Sequence, residues 1–164
     1  MSKIALTNKL SKQYPTKNVV IAGGSVAKIL SAEYNPKNAR QSDVDMFVIG
    51  ETQEERREAV TQLLTWFDSP DTYYAVNSSV VTVYIKNVMR KFQIISCSHT
   101  NPFEVLGGFD QTHVQWCYYN NAFLGTASAL KAMQERVTKF DCVNSLKSER
   151  LIKTLYNGYH IVKS

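Results

Sequence analysis

Residues 18–22, Asn-Val-Val-Ile-Ala, form a short β-branched run that stops at Gly23-Gly24-Ser25. A compact apolar run of this length reads as a buried strand. Val26 to Ala32 then resumes with helical composition. The chain therefore commits early to a strand, a tight glycine turn and a helix. Adjacent glycines let a backbone come close to a ligand and adopt torsions that other residues resist. Exposed N–H groups at a helix start favour an anion, and the Ser25 hydroxyl adds a donor. The same turn also occurs as plain architecture in α/β proteins, so alone it leaves both readings open.

The second feature is Asp43-Val44-Asp45, at the head of the apolar stretch Val44 to Ile49 that Gly50 ends. Residues i and i+2 of a strand share a face. The two carboxylates are thus expected side by side, with Val44 and Phe47 pointing to the opposite face. Paired anions raise each other's pKa unless a cation lies between them. Magnesium, a hard ion held by one or two carboxylates and substrate phosphates, suits such a pair. Solvated acids at a polar strand end are the plain alternative. An anion site beside a divalent-cation site is the combination phosphoryl transfer requires.

The rest of the chain reads as alternating helices and strands. Met1 to Pro15 suggests a short helix, and Glu33 to Gln41 a polar loop holding Pro36. Thr52 with Glu55 forms a capping box opening a helix that carries Ala59, Val60, Leu63, Leu64 and Phe67 on one face. Strands are expected over Tyr73 to Val76, Ser79 to Ile85, Lys91 to Cys97 and Val114 to Tyr119, with a turn at Asn87. A short helix starts near Pro102. Thr126 caps a helix carrying Leu130, Met133 and Val137, and Ser145 one carrying Ile152, Leu155, Tyr156 and Tyr159. The expected class is α/β (α+β): a mixed sheet flanked by helices, with a helical C-terminus. Residues 1–164 are expected to form a single domain, with its core at about 15–100 and an extension at about 101–164.

At 164 residues, 44% hydrophobic and 20% charged, the chain is neither collagenous nor of disordered composition. Its apolar runs fall short of the roughly 18 residues of a membrane span, and Met1 to Lys12 lacks a secretory signal's apolar core. A cytoplasmic or nuclear protein with no membrane partner is expected, the cytoplasm being preferred. Cys97, Cys117 and Cys142 are too few and too scattered for a disulfide framework. Cys97-Ser98-His99 with His113 and Cys117 lacks zinc-ligand spacing, so polar and core roles are the expectation. From Lys131 to Ser164, seven basic residues face three acids, which supplies +4 of the chain's net +5. That excess suits either a solvated face or attraction for phosphates.

Val20-Ile21-Ala22-Gly23-Gly24-Ser25 followed by Ser42-Asp43-Val44-Asp45-Met46-Phe47 resembles the hallmark of the DNA polymerase beta-like nucleotidyltransferase superfamily. A looser resemblance involves Gln93-Ile94-Ile95, Pro102 to Leu106, Phe109-Asp110 and Thr126 to Met133. It is to nucleotidyltransferase-like proteins of large DNA viruses and phages. The resemblance implies that Gly24 and Ser25 bind the phosphates of a nucleoside triphosphate; Gly23 beside them, and Lys28 a helical turn after Ser25, are expected at the same phosphate site. It implies that Asp43 and Asp45 are catalytic and hold Mg2+ (or Mn2+). It also implies a third carboxylate on the strand Lys91 to Cys97, where this sequence offers Gln93, a side chain that cannot be anionic. Glu104 or Asp110 could substitute from the following loop.

Two functions follow. One is magnesium-dependent transfer of a nucleotidyl group to a hydroxyl of a nucleic acid, protein or small molecule. The other is a catalytically degenerate protein of viral or phage origin that binds nucleotide or a protein partner in the host cytoplasm. Around this centre, Lys28 also reads as a solvated helix lysine, and Arg40 as a partner for one carboxylate. Arg90 and Lys91 read as flanking a sheet edge. Lys131 and Lys139 share one helix face in this reading and could line a polynucleotide path. Trp116, Tyr118 and Tyr119 read as core aromatics that could otherwise stack on a base.

Overall fold

The computed structural model describes residues 17–31, 42–140 and 148–163. It begins with strand β1 (Val19–Ala22), helix α1 (Gly24–Leu30), strand β2 (Val44–Val48) and helix α2 (Gln53–Phe67). The hairpin strands β3 (Thr72–Val76) and β4 (Val80–Ile85) lead to β5 (Phe92–Ser96) and helix α3 (Pro102–Gly107). A 3-10 turn over Thr112–Val114 precedes strands β6 (Trp116–Tyr119) and β7 (Ala122–Gly125) and helix α4 (Ala127–Glu135). Strand β8 (Val137–Phe140), helix α5 (Ser148–Tyr156) and strand β9 (His160–Lys163) follow. The stretches expected as an N-terminal helix and a Pro36 loop, together with Arg40, Cys142 and Ser145, lie outside the described residues.

Seven strands form one mixed sheet in the order β3-β4-β5-β2-β1-β6-β7, and β8 and β9 form a separate parallel pair. Within the large sheet β2 and β5 run parallel, and the other neighbours are antiparallel. Strand alternation divides the core in two. Val19 and Ile21 of β1, with Val44, Met46 and Val48 of β2, pack against Ala59, Leu63 and Phe67 of α2. Val20 and Ala22 face the other way, onto Val105 and Leu106 of α3 and onto Cys117. This is the mixed sheet with flanking helices that the sequence pattern predicts, and the sheet continues past residue 100 through β6 and β7.

Several local expectations need correction. Phe47 does not oppose the carboxylates: it is two residues from Asp45, shares its face, and meets Phe109 edge-on with centroids 5.6 Å apart. Thr52 caps α2 by accepting from Glu55 N–H at 3.1 Å, but Glu55 reaches back to Glu51 N–H at 3.0 Å, one residue earlier than a reciprocal box requires. Helix α4 ends at Arg136, whose φ of 57° is left-handed, so Val137 opens a strand. Lys131 and Lys139 therefore lie on a helix and a strand and share no helix face. Tyr159 lies beyond α5, buried against His113, while Ile152, Leu155 and Tyr156 are exposed. β5 is interior to the sheet, so Arg90 and Lys91 flank no edge; Arg90 is buried and donates to Ser42 O at 2.8 Å. Glycine at 125, the last residue of β7, is dictated by close approach: a Cβ there would lie 2.3 Å from the cross-strand ring of Trp116.

Candidate functional site

The glycine turn and the acid pair meet because β1 and β2 are antiparallel neighbours. Ala22, the last residue of β1, pairs with Asp45 near the start of β2. The chain then turns at Gly23, whose φ of 97° disfavours a side chain. Gly23 N–H donates to Trp116 O at 3.0 Å, which ties the turn to β6. A Cβ on Gly23 would be 3.4 Å from the Phe109 ring and 3.9 Å from Asp45 Oδ2. The two motifs thus share one cleft, although 17 residues separate Ser25 from Asp43 in sequence.

That cleft is a cavity of about 770 Å³ whose walls include Gly24, Ser25, Lys28, Asp43 and Asp45. Ser25 is buried, and its hydroxyl has no hydrogen-bond partner among the described residues. Asp45 Oδ1 is likewise buried without such a partner. Buried polar atoms without partners are unusual in folded proteins and call for a ligand, ion or water. Burial is the main force raising the Asp45 carboxyl from its ordinary value to about 6; the neighbouring Asp43 adds to this, and Lys153 and Lys91 oppose it. Asp43 is more open and pairs with Lys91, Nζ to Oδ2 at 3.5 Å.

Lys28 is half-buried and donates to Ser42 Oγ at 2.7 Å. Burial, followed by the nearby cations Lys153 and Arg90, lowers its pKa, and Asp43 acts in the other direction. It is therefore not the solvated helix lysine of the plainer reading. The opposite wall comes from the C-terminal segment, with Arg136, Arg150 and Lys153 lining the same cavity. The sequence shows the basic excess after Lys131 but not that these three side chains fold back over the acids. Polar contacts dock that wall. Gln111 Nε2 donates to Thr154 Oγ1 at 3.0 Å, and Arg150 makes a two-pronged pair with Asp110. His113 Nδ1 and Thr138 Oγ1 are 2.9 Å apart. Burial, with Arg136 and Arg150 close by, depresses the His113 pKa to about 4.

The residue directly across β5 from Asp45 is Gln93. Neither proposed substitute joins it. Glu104 closes the start of α3, accepting from Thr100 N–H and Oγ1–H at 3.1 and 2.9 Å and from Asn101 Nδ2 at 3.1 Å. Asp110 is engaged by Arg150. Among the described residues no group of three or more His, Cys, Asp or Glu side chains converges. The Cys97, His99, His113 and Cys117 set is dispersed: Cys97 Sγ lies 3.2 Å from Val48 O, and His99 lies beside Glu104. No helix among the described residues is long and apolar enough to cross a membrane.

The fold defines the class first. A tRNA-processing enzyme solved with CTP matches at a TM-score of 0.58 and 16% identity, over 88% of this chain and 40% of that one. A tRNA nucleotidyltransferase complexed with a primer tRNA and an incoming ATP analogue matches at 0.55 and 15%, over 88% of this chain and 43% of that one. This is a nucleotidyltransferase-like fold, and the chain spans about two-fifths of the length of these structures. The protein itself belongs to the Gabija anti-defense 2 (Gad2) family, whose profile matches residues 2–136. No curated protein matches the sequence.

Proposed function

We propose that the protein is a magnesium-dependent nucleotidyltransferase that moves a nucleotidyl group from a nucleoside triphosphate to a hydroxyl acceptor. The observation that carries this reading is the shared cleft, in which the Ser25 hydroxyl and Asp45 Oδ1 are buried without partners among the described residues. Ser25 and the Gly23-Gly24 backbone would bind the phosphates. Lys28 and Lys153 would neutralise them from opposite walls. The donor set suits a hard cation, since Asp43 and Asp45 offer carboxylate oxygens on one strand face. When held there, Mg2+ or Mn2+ supplies positive charge against the triphosphate and the departing pyrophosphate.

Membership of an anti-defense family supports a phage origin and action in the host cytoplasm, with a host nucleic acid or protein as acceptor. A second reading has its own observation: Gln93 lies where a third acid is expected, which favours a nucleotide-binding protein without turnover. The deciding experiment incubates the chain with each α-labelled nucleoside triphosphate, Mg2+ and host extract. Pyrophosphate release with label transfer, lost in Asp43→Asn and Asp45→Asn, is the expected result. Nucleotide binding without release supports the second reading, and no nucleotide binding refutes both.

A further inference from the structure

We infer that this centre takes one divalent cation rather than two, with the Lys91 ammonium supplying the second positive charge. The inference rests on the transferase reading above and concerns the cation count at the same site. β2 and β5 are parallel with Asp45 opposite Gln93, and Val44 N–H donates to Lys91 O at 3.1 Å. Alternation along β5 puts Lys91 and Gln93 on one face. Across β2 that face carries Asp43 and Asp45. The result is two cross-strand pairs, one of acid and ammonium and one of acid and amide.

A second divalent ion needs anionic oxygens to bridge it to the first. The Gln93 amide offers only a neutral oxygen, and Glu104 and Asp110 are committed elsewhere. Lys91 Nζ, 3.5 Å from Asp43 Oδ2, offsets part of the acid pair's charge, which leaves enough for one dication and too little for a second. Unlike an ion, the ammonium is covalently attached and cannot dissociate, so the charge is fixed in the strand.

The test counts Mn2+ bound to the full chain by electron paramagnetic resonance, with circular dichroism as a folding control. The expected result is one ion per chain in the wild type and two in Lys91→Ala/Gln93→Asp. The Lys91→Ala change alone should tighten the first ion by about tenfold, the scale of one charge acting on a dication across solvent. Should the double variant fail to fold, Lys91→Ala with the nearly isosteric Gln93→Glu carries the same test. Two ions in the wild type, or one in a folded double variant, overturns the inference and leaves the transferase reading standing. No ion in the wild type, or binding that Asp45→Asn leaves intact, overturns the transferase reading itself.

Discussion

Replacing Asp45 by asparagine should stabilise the metal-free protein, and should do so only where the carboxyl is ionised. Asp45 Oδ1 is buried without a hydrogen-bond partner among the described residues, and the carboxyl titrates at about 6 against an ordinary 3.8. A displacement of about two units corresponds to about 3 kcal/mol of penalty on the charged form. Solvent screening at the mouth of the cleft, where Asp45 is not fully enclosed, reduces the expected gain to about 2 kcal/mol. The sign follows from the folded value lying above the unfolded one. The penalty is complete above pH 6, shrinks as the pH falls between 6 and 3.8, and vanishes below. For a chain of this length, 2 kcal/mol corresponds to a melting shift of about 4–8 °C. Thermal melts of wild type and Asp45→Asn in chelator should differ by that amount at pH 8 and converge near pH 4. Adding Mg2+ should raise only the wild type. A variant that melts below wild type at pH 8 in chelator would refute the claim that Asp45 is an uncompensated charge.

Three further outcomes follow from the same geometry. Ser25→Ala should leave the melting temperature nearly unchanged while weakening nucleotide binding by about tenfold or more, the scale of a hydrogen bond to a charged group; a thermal melt reads the first and fluorescence titration the second, and unchanged affinity removes Ser25 from the site. Gly125→Ala should cost about 1–3 kcal/mol by overpacking, because its Cβ would meet the Trp116 ring at 2.3 Å, and denaturant unfolding measures this directly. Thr154→Val removes the hydroxyl that accepts from Gln111 at 3.0 Å, at a cost of about 1–3 kcal/mol for the stranded amide. Hydrogen exchange over Ser148–Tyr156 should then quicken while the β1–β2 pair stays protected.

The legible part of the fold is local in sequence. The β-branched runs, the glycines and the Thr52 cap encode β1, α1, β2 and α2 in contiguous residues, and the observed elements follow them closely. Motif order predicts the pairing of the glycine turn with the acids, but its cause, the antiparallel register of Ala22 with Asp45, is a long-range contact that no window of sequence contains. The same limit hid the cationic wall. Arg136, Arg150 and Lys153 are ordinary basic residues until polar contacts such as Gln111 to Thr154 fold α5 over the cleft. The position of Phe47 is legible in the sequence, since residue 47 shares a strand face with residue 45. The end of α4 carries no stop signal in the sequence, because Arg136 takes a left-handed conformation more typical of glycine or asparagine. The small β8–β9 sheet joins two segments more than 20 residues apart, beyond the reach of periodicity.

A nucleotide and a divalent cation should occupy one cleft together, and calorimetric titration addresses that most directly. Nucleoside triphosphate should bind the wild-type chain tightly with Mg2+ present, markedly less well in chelator, and without Mg2+ dependence in Asp43→Asn or Asp45→Asn. Equal binding with and without Mg2+ in the wild type, or no binding in either condition, would contradict it.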